Sequence, residues 1–176
     1  MTKKLSLIPL LTLALILTSC GTREGVVING VRWATHNVDA PGTFAQNPES
    51  AGNLFTWEEA QNACPQGWRL PNEDELRLLR NADSEWTTKN DVNGRIFGTA
   101  PNQIFLPASG ARDGFDGSLN YVGMIGFYWS STDSDDSEDA MYLWFGNSNV
   151  SVLSSWLRDE LSVRCVAEST NQQINK

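Results

Sequence analysis

An α+β fold is predicted by three observations. Two capping boxes mark two short helices in the first half of the chain, four short β-type segments crowd the last third, and no strand–helix–strand unit repeats between them. The predicted architecture is two short helices packed on small antiparallel sheets, joined by long ordered loops.

The elements follow in order. VVINGVRWA, residues 26–34, sets Asn29-Gly30 between β-formers, a strong hairpin signal. Residues 35–54 are rich in Pro, Gly, Asn and Ser and read as an ordered loop. Thr56 caps the first helix and Glu59 completes its capping box; the helix is expected to run through Ala60 to Cys64, where Pro65 stops it. In CPQGWRLPNEDELRLL, Gly67 permits a turn, and Pro71 keeps Leu70 extended, so the second helix starts after Asn72. Glu75 completes a second capping box, and Glu73, Asp74 and Glu75 place negative charge at the positive end of the helix dipole. Leu76, Leu79 and Ala82 give one apolar stripe over about three turns. Beyond Asp83 the chain reads as loop-rich, up to IFLPASGARDGFDGSLN, which reads as a strand, a bend and a turn, with Asp113 and Asp116 as turn residues. YWSST, AMYLWF, VSVLSSW and LSVRCVAE then read as an antiparallel meander or a pair of hairpins.

The ends and the cysteines bound the setting. MTKKLSLIPLLTLALILTSC has Lys3 and Lys4, an apolar run from Leu5 to Leu17 that is short for a bilayer span, and small polar residues before Cys20. Leu17-Thr18-Ser19-Cys20 resembles a bacterial lipobox, which implies cleavage before Cys20 and lipid on its sulfur. The expected segments are a signal peptide at 1–19, a lipidated anchor and short linker at 20–25, one domain at 26–168 and a polar tail at 169–176. The localisation that follows is the bacterial envelope, at the outer membrane. With Cys20 lipidated, Cys64 and Cys165 form an even pair in an oxidising compartment and read as one disulfide. Closing so long a loop constrains the unfolded chain by about 4–5 kcal/mol. Removing residues 1–19 takes away two lysines and no acid, moving the formal charge from −8 to −10. With no basic cluster to offset it, nucleic acid is excluded as a partner on electrostatic grounds.

WATHNVDAPGTF, FTWEEAQNACPQGWRLPNEDEL, IFLPASGAR, GFYWSSTD and SVRCV, in that order, resemble the FISUMP domain (Fibrobacter succinogenes major paralogous domain) of exported proteins and lipoproteins. More remotely, TWEEAQNACPQGWRLPNEDEL is similar to the two-helix segment of C-type-lectin-like domains. That likeness implies a C-type-lectin-like fold in which the first-helix cysteine bonds one in the last strand, as Cys64 and Cys165 would. Two departures count against the family's better-known activities. Leu143-Trp144-Phe145-Gly146 stands where sugar-binding lectins carry a calcium motif, and the cysteines that formylglycine-generating enzymes need reactive are paired here.

Chemistry-bearing constellations are few. DSDDSED supplies carboxylates, with Asp133, Asp135 and Ser137 at the one-three-five spacing of an oxygen-ligand loop, but it lacks the glycine and distal glutamate of a calcium loop. Asp133, Asp135 and Asp136 are therefore only a weak calcium candidate, no metal or other cofactor is assigned, and a solvated acidic loop is the default. His36 is the single histidine, which removes Ser/His and multi-histidine sites. Tyr142, Trp144, Asn147, Asn149, Trp156 and Arg158 are candidate ligand-binding residues on or between the final strands. Alternation sets Tyr142 and Trp144 on one face and Met141, Leu143 and Phe145 on the other, so either the sheet is covered on both sides or one face binds something. The expected function is a lipid-anchored, non-catalytic recognition protein for a glycan or protein ligand. The alternatives are an envelope enzyme, either a glycan hydrolase or a formylglycine-generating relative, and a structural envelope or fimbrial component.

Overall fold

The computed structural model describes residues 25–136 and 138–168; the expected signal segment 1–19, Cys20 with residues 21–24 of the expected linker, and the tail 169–176 lie outside the described residues. In chain order the strands are β1 (Val26–Ile28), β2 (Val31–Trp33), β3 (Val38–Ala40), β4 (Thr43–Phe44), β5 (Leu54–Phe55), β6 (Trp68–Arg69), β7 (Ser84–Lys89), β8 (Val92–Thr99), β9 (Asn102–Pro107), β10 (Ala111–Arg112), β11 (Leu119–Asn120), β12 (Gly126–Asp133), β13 (Asp139–Phe145), β14 (Val150–Trp156), β15 (Leu161–Ser162) and β16 (Val166–Ala167). Helix α1 (Trp57–Ala60) lies between β5 and β6, and α2 (Glu73–Arg80) between β6 and β7. Five sheets result: β1-β2-β16-β6, β14-β13-β12-β15-β5, β7-β8-β9, β3-β4 and β10-β11.

These elements correct the α+β, C-type-lectin-like expectation. The protein is mostly β, with 47% strand and 8% helix. Its sheets are not antiparallel throughout, because β15 runs parallel to β12 at Tyr128↔Ser162. Two physical reasons account for the difference. The stretch after Asp83 is a three-stranded meander whose polar turns hid its strands; Asn90 and Asp91 both take positive φ (48° and 62°), as a tight hairpin turn requires. LSVRCVAE is also not one strand, since its first part joins the five-stranded sheet and its last part closes the four-stranded one.

Both capping boxes form. The Thr56 side chain accepts from Glu59 N and the Asn72 side chain from Glu75 N, with each glutamate returning to the cap backbone. Helix α1 is nevertheless shorter than expected, ending at Ala60 with Ala63 N bonded back to Ala60 O in a turn. Helix α2 buries Leu76 and Leu79 as its stripe predicts, but it is shorter than expected, ending at Arg80 and leaving Ala82 half-buried beyond it. The Asn29-Gly30 hairpin pairs β1 with β2. Cys64 and Cys165 are disulfide-bonded, with Cα atoms 6.0 Å apart and a separation of 101 positions in sequence. The CPQGWRLP stretch is thus a clasp. Trp68 and Arg69 pair with β16, Trp68 meets Phe44 edge-on at 5.6 Å, and Arg69 holds Glu75 through two bonds of 2.6 and 2.8 Å.

The core divides by the faces of the five-stranded sheet. Tyr128, Leu143 and Phe145 pack with Leu76, Leu79 and Phe97 on one side. Trp129, Ala140 and Tyr142 pack with Phe55, Leu161 and Cys165 on the other. Of the two possibilities left open by the strand alternation, the sheet is covered on both sides.

Candidate functional site

Arg164 is the unexpected centre of the molecule. It is 1% exposed, and its three donating nitrogens all face neutral oxygens: Nε bonds Asn37 Oδ1 at 2.9 Å, Nη1 bonds Ala34 O at 3.1 Å and Nη2 bonds Phe105 O at 3.0 Å. Burial lowers its pKa to about 10, which leaves it charged at neutral pH. Isolating a guanidinium from water is costly unless its donors are met, and three fixed oxygen dipoles meet one N–H on each of its three nitrogens. The network continues outward. Asn37 Nδ2 donates to Ala51 O at 2.7 Å and to the Tyr128 hydroxyl at 3.2 Å, and that hydroxyl donates to Pro107 O at 2.8 Å. Burial pushes the Tyr128 phenol up, so it stays a neutral donor.

Ala51 and Pro107 stand on two walls of one cleft of about 440 Å³. One wall is residues 51–54, another is Asp91, Val92 and Asn93 at the β7–β8 turn, a third is residues 107–109, and Arg112, Leu119, Val122 and Gly123 form the outer side. The buried network therefore sets the spacing of the walls from beneath. Two polar side chains on the cleft, Asn93 and Arg112, serve its architecture. Asn93 donates to Gly123 O at 3.0 Å while accepting from the Thr88 hydroxyl at 2.7 Å, and Arg112 bonds Glu160 at 3.0 Å and Gly117 O at 3.0 Å.

The outer side belongs to an excursion between β9 and β12, closed at its base by the Gly110↔Gly126 bridge and stiffened by the β10–β11 pair. Asp113 accepts from the backbone of Phe115 (2.8 Å) and Asp116 (3.3 Å), and Asp116 from that of Ser118 (2.8 Å), which folds the tip tightly. Once the backbone is spent on its own turns, the side chains point outward. Phe115, Leu119, Tyr121, Val122 and Met124 are 50% to 64% exposed. Phe115 also meets the Trp156 ring at 5.1 Å, with the Arg158 guanidinium 4.0 Å over its face.

The residues singled out from the sequence do not converge. Tyr142 is buried and Trp144 half-buried, both against the core on one face of the sheet. Asn147 and Asn149 are exposed in the β13–β14 turn, where Arg95 holds the carbonyls of Gly146 and Asn147 at 3.0 and 3.2 Å. Trp156 and Arg158 lie at the far end of the same hairpin, since Phe145 pairs with Val150 and Asp139 with Trp156. About 20 Å separates the two ends. Only Trp156 and Arg158 join the apolar rim. Asp133, Asp135 and Asp136 are exposed, and the loop bonds to itself, with Asp136 accepting from Glu138 N at 3.2 Å and the Ser134 hydroxyl donating to Asp136 O at 3.0 Å. Ser137 lies outside the described residues, among which no three His, Cys, Asp or Glu side chains gather as metal ligands. His36 Nδ1 lies 2.8 Å from the Thr35 hydroxyl. The rim itself escaped the sequence reading. Its signal is LNYVGM, four large apolar residues in a segment otherwise built like a turn.

A family model described as the Lcl C-terminal domain matches residues 27–167, from β1 to β16. All the motifs quoted for the FISUMP likeness fall inside that range. No curated protein and no solved structure matches the chain. The match covers the cleft, its floor and its rim, and the chain belongs to the Lcl C-terminal domain family, a surface- or envelope-associated domain.

Proposed function

We propose that this domain is a non-catalytic recognition module that seats a partner protein on the apolar rim and in the cleft behind it. We further propose that lipid on Cys20 ties it to the outer membrane. One observation carries the recognition reading. Five large apolar side chains between Phe115 and Met124 face solvent beside a cleft whose walls are fixed from beneath. Leaving them exposed forgoes hydrophobic stabilisation that a partner surface recovers, at about 25 cal/mol per Å² of apolar area covered. Leu119, Val122 and Met124 offer a ligand no hydrogen bond, which favours a protein surface; aromatic residues, Met and Arg are the types enriched at such interfaces. The cleft's Asn93 and Arg112 are already occupied by structural bonds, which supports binding rather than turnover. A glycan reading draws on the exposed Tyr121 and Trp156 rings, which can stack on a sugar face.

The test is capture of envelope proteins by the full chain, alongside a glycan array, with Leu119→Ser and Val122→Asp as variants. Loss of a captured protein in both variants, with melting temperature unchanged, supports the proposal. Glycan binding that depends on Trp156 and ignores Leu119 replaces it with the second reading. For the anchor, Cys20→Ala is expected to leave an unprocessed or soluble protein; a mature-sized, membrane-bound variant would contradict the lipid reading.

A further inference from the structure

Strand β14 is the outer strand of the five-stranded sheet, and its edge is unprotected. Natural edges are defended by shortness, charge, proline or bulges. The other outer strands show such defences: β1 has three residues, β5 and β6 two each, β7 carries Glu85 and Lys89, and β9 is buried from Ile104 to Pro107. VSVLSSW, the seven residues of β14, has no charge and no proline, and it pairs with β13 in unbroken register. Among the described residues, no backbone hydrogen bond joins Val150–Ser155 to any other strand.

We propose that β14 pairs antiparallel with β14 of a second copy of this chain, joining the two five-stranded sheets into one. Two features select a second copy as the occupant. Leu153 is the middle residue of the strand and is 45% exposed, so a two-fold axis through it sets Leu153 against its own copy and Val150 against the second copy's Trp156. These are apolar cross-strand pairs, the kind that stabilise a ladder. The second feature is charge. The acidic loop with Asp133, Asp135, Asp136 and Glu138 lies at the Trp156 end, since Asp139 pairs with Trp156. Antiparallel pairing sends the two acidic loops to opposite ends, about 20 Å apart and beyond the screening length of about 8 Å. On a chain of net charge −8, an uncharged strip is where two copies approach at least electrostatic cost.

Sedimentation velocity on the full chain over a hundredfold concentration range tests this. The wild type is expected to show a concentration-dependent dimer. Leu153→Lys, which sets two like charges face to face, is expected to be monomeric with its melting temperature kept. Leu153→Cys should form, on mild oxidation, a disulfide dimer mapped to position 153, whereas Leu78→Cys, exposed on α2, should not; this remains diagnostic even if Leu153→Lys folds poorly. A wild type that is monomeric throughout, a dimer indifferent to Leu153→Lys, or a monomer that captures a different protein through position 153 would each overturn the proposal.

Discussion

Arg164 and Met124 stand for the two halves of the cleft. Arg164 is 1% exposed and bonded to three oxygens from residues distant in sequence, whereas Met124 is 64% exposed on a segment whose backbone bonds close on themselves. Below, geometry and stability are one property, because every bond that spaces the walls also satisfies a buried group. At the rim they separate. A rim side chain can change what the protein touches without changing whether it folds.

The largest expected effect breaks the floor by releasing its end of the chain. Cys165 neighbours Arg164, and Cys165→Ser removes a bond across 101 residues, so unfolding in urea should show a loss of up to about 4–5 kcal/mol. Arg164→Met should cost about 3 kcal/mol, since the oxygens of Ala34, Asn37 and Phe105 lose their donor while the desolvated charge is relieved. Arg164→Lys should not restore it, because one ammonium cannot span three fixed directions. Tyr128→Phe leaves Pro107 O without its donor and Asn37 Nδ2 with one partner, and should cost about 1–2 kcal/mol by the same measurement.

A smaller effect lies between floor and rim. Lys89 reaches from the β7–β8 turn to Glu49 at 2.6 Å, and that bond holds the Glu49 carboxyl below its usual range. A depressed carboxylate stabilises the fold above its unfolded pKa, and the contribution fades as pH falls through the lowered folded value. Lys89→Met should therefore destabilise the fold at pH 7 by less than about 1 kcal/mol, read as a lowered melting temperature, and leave it unchanged at strongly acidic pH.

What the sequence disclosed was local or covalent. Thr56 with Glu59, Asn72 with Glu75, and Asn29-Gly30 each act within a few residues, and all three appear in the structure as read. Cys64 and Cys165 were found by counting. Arg164 was opaque because its meaning lies with Asn37, 127 residues away, and nothing within SVRCV marks it. The β7–β9 meander was missed because Asn90-Asp91 and Ala100-Pro101 resemble loop composition, though they are the turns between strands. The candidate ligand residues do not converge for a third reason. Being near in sequence on a hairpin put Asn149 and Trp156 at opposite ends of it.

The division between floor and rim is tested most directly by one double variant, Leu119→Ser with Val122→Ser, read by its melting curve and by capture of the partner protein on the same preparation. Both side chains are at least half exposed, so stability should stay within about 0.5 kcal/mol of the wild type and the melting temperature should match it, while capture is lost. A melting temperature lowered as far as that of Tyr128→Phe, or capture that persists at wild-type level, would contradict the account.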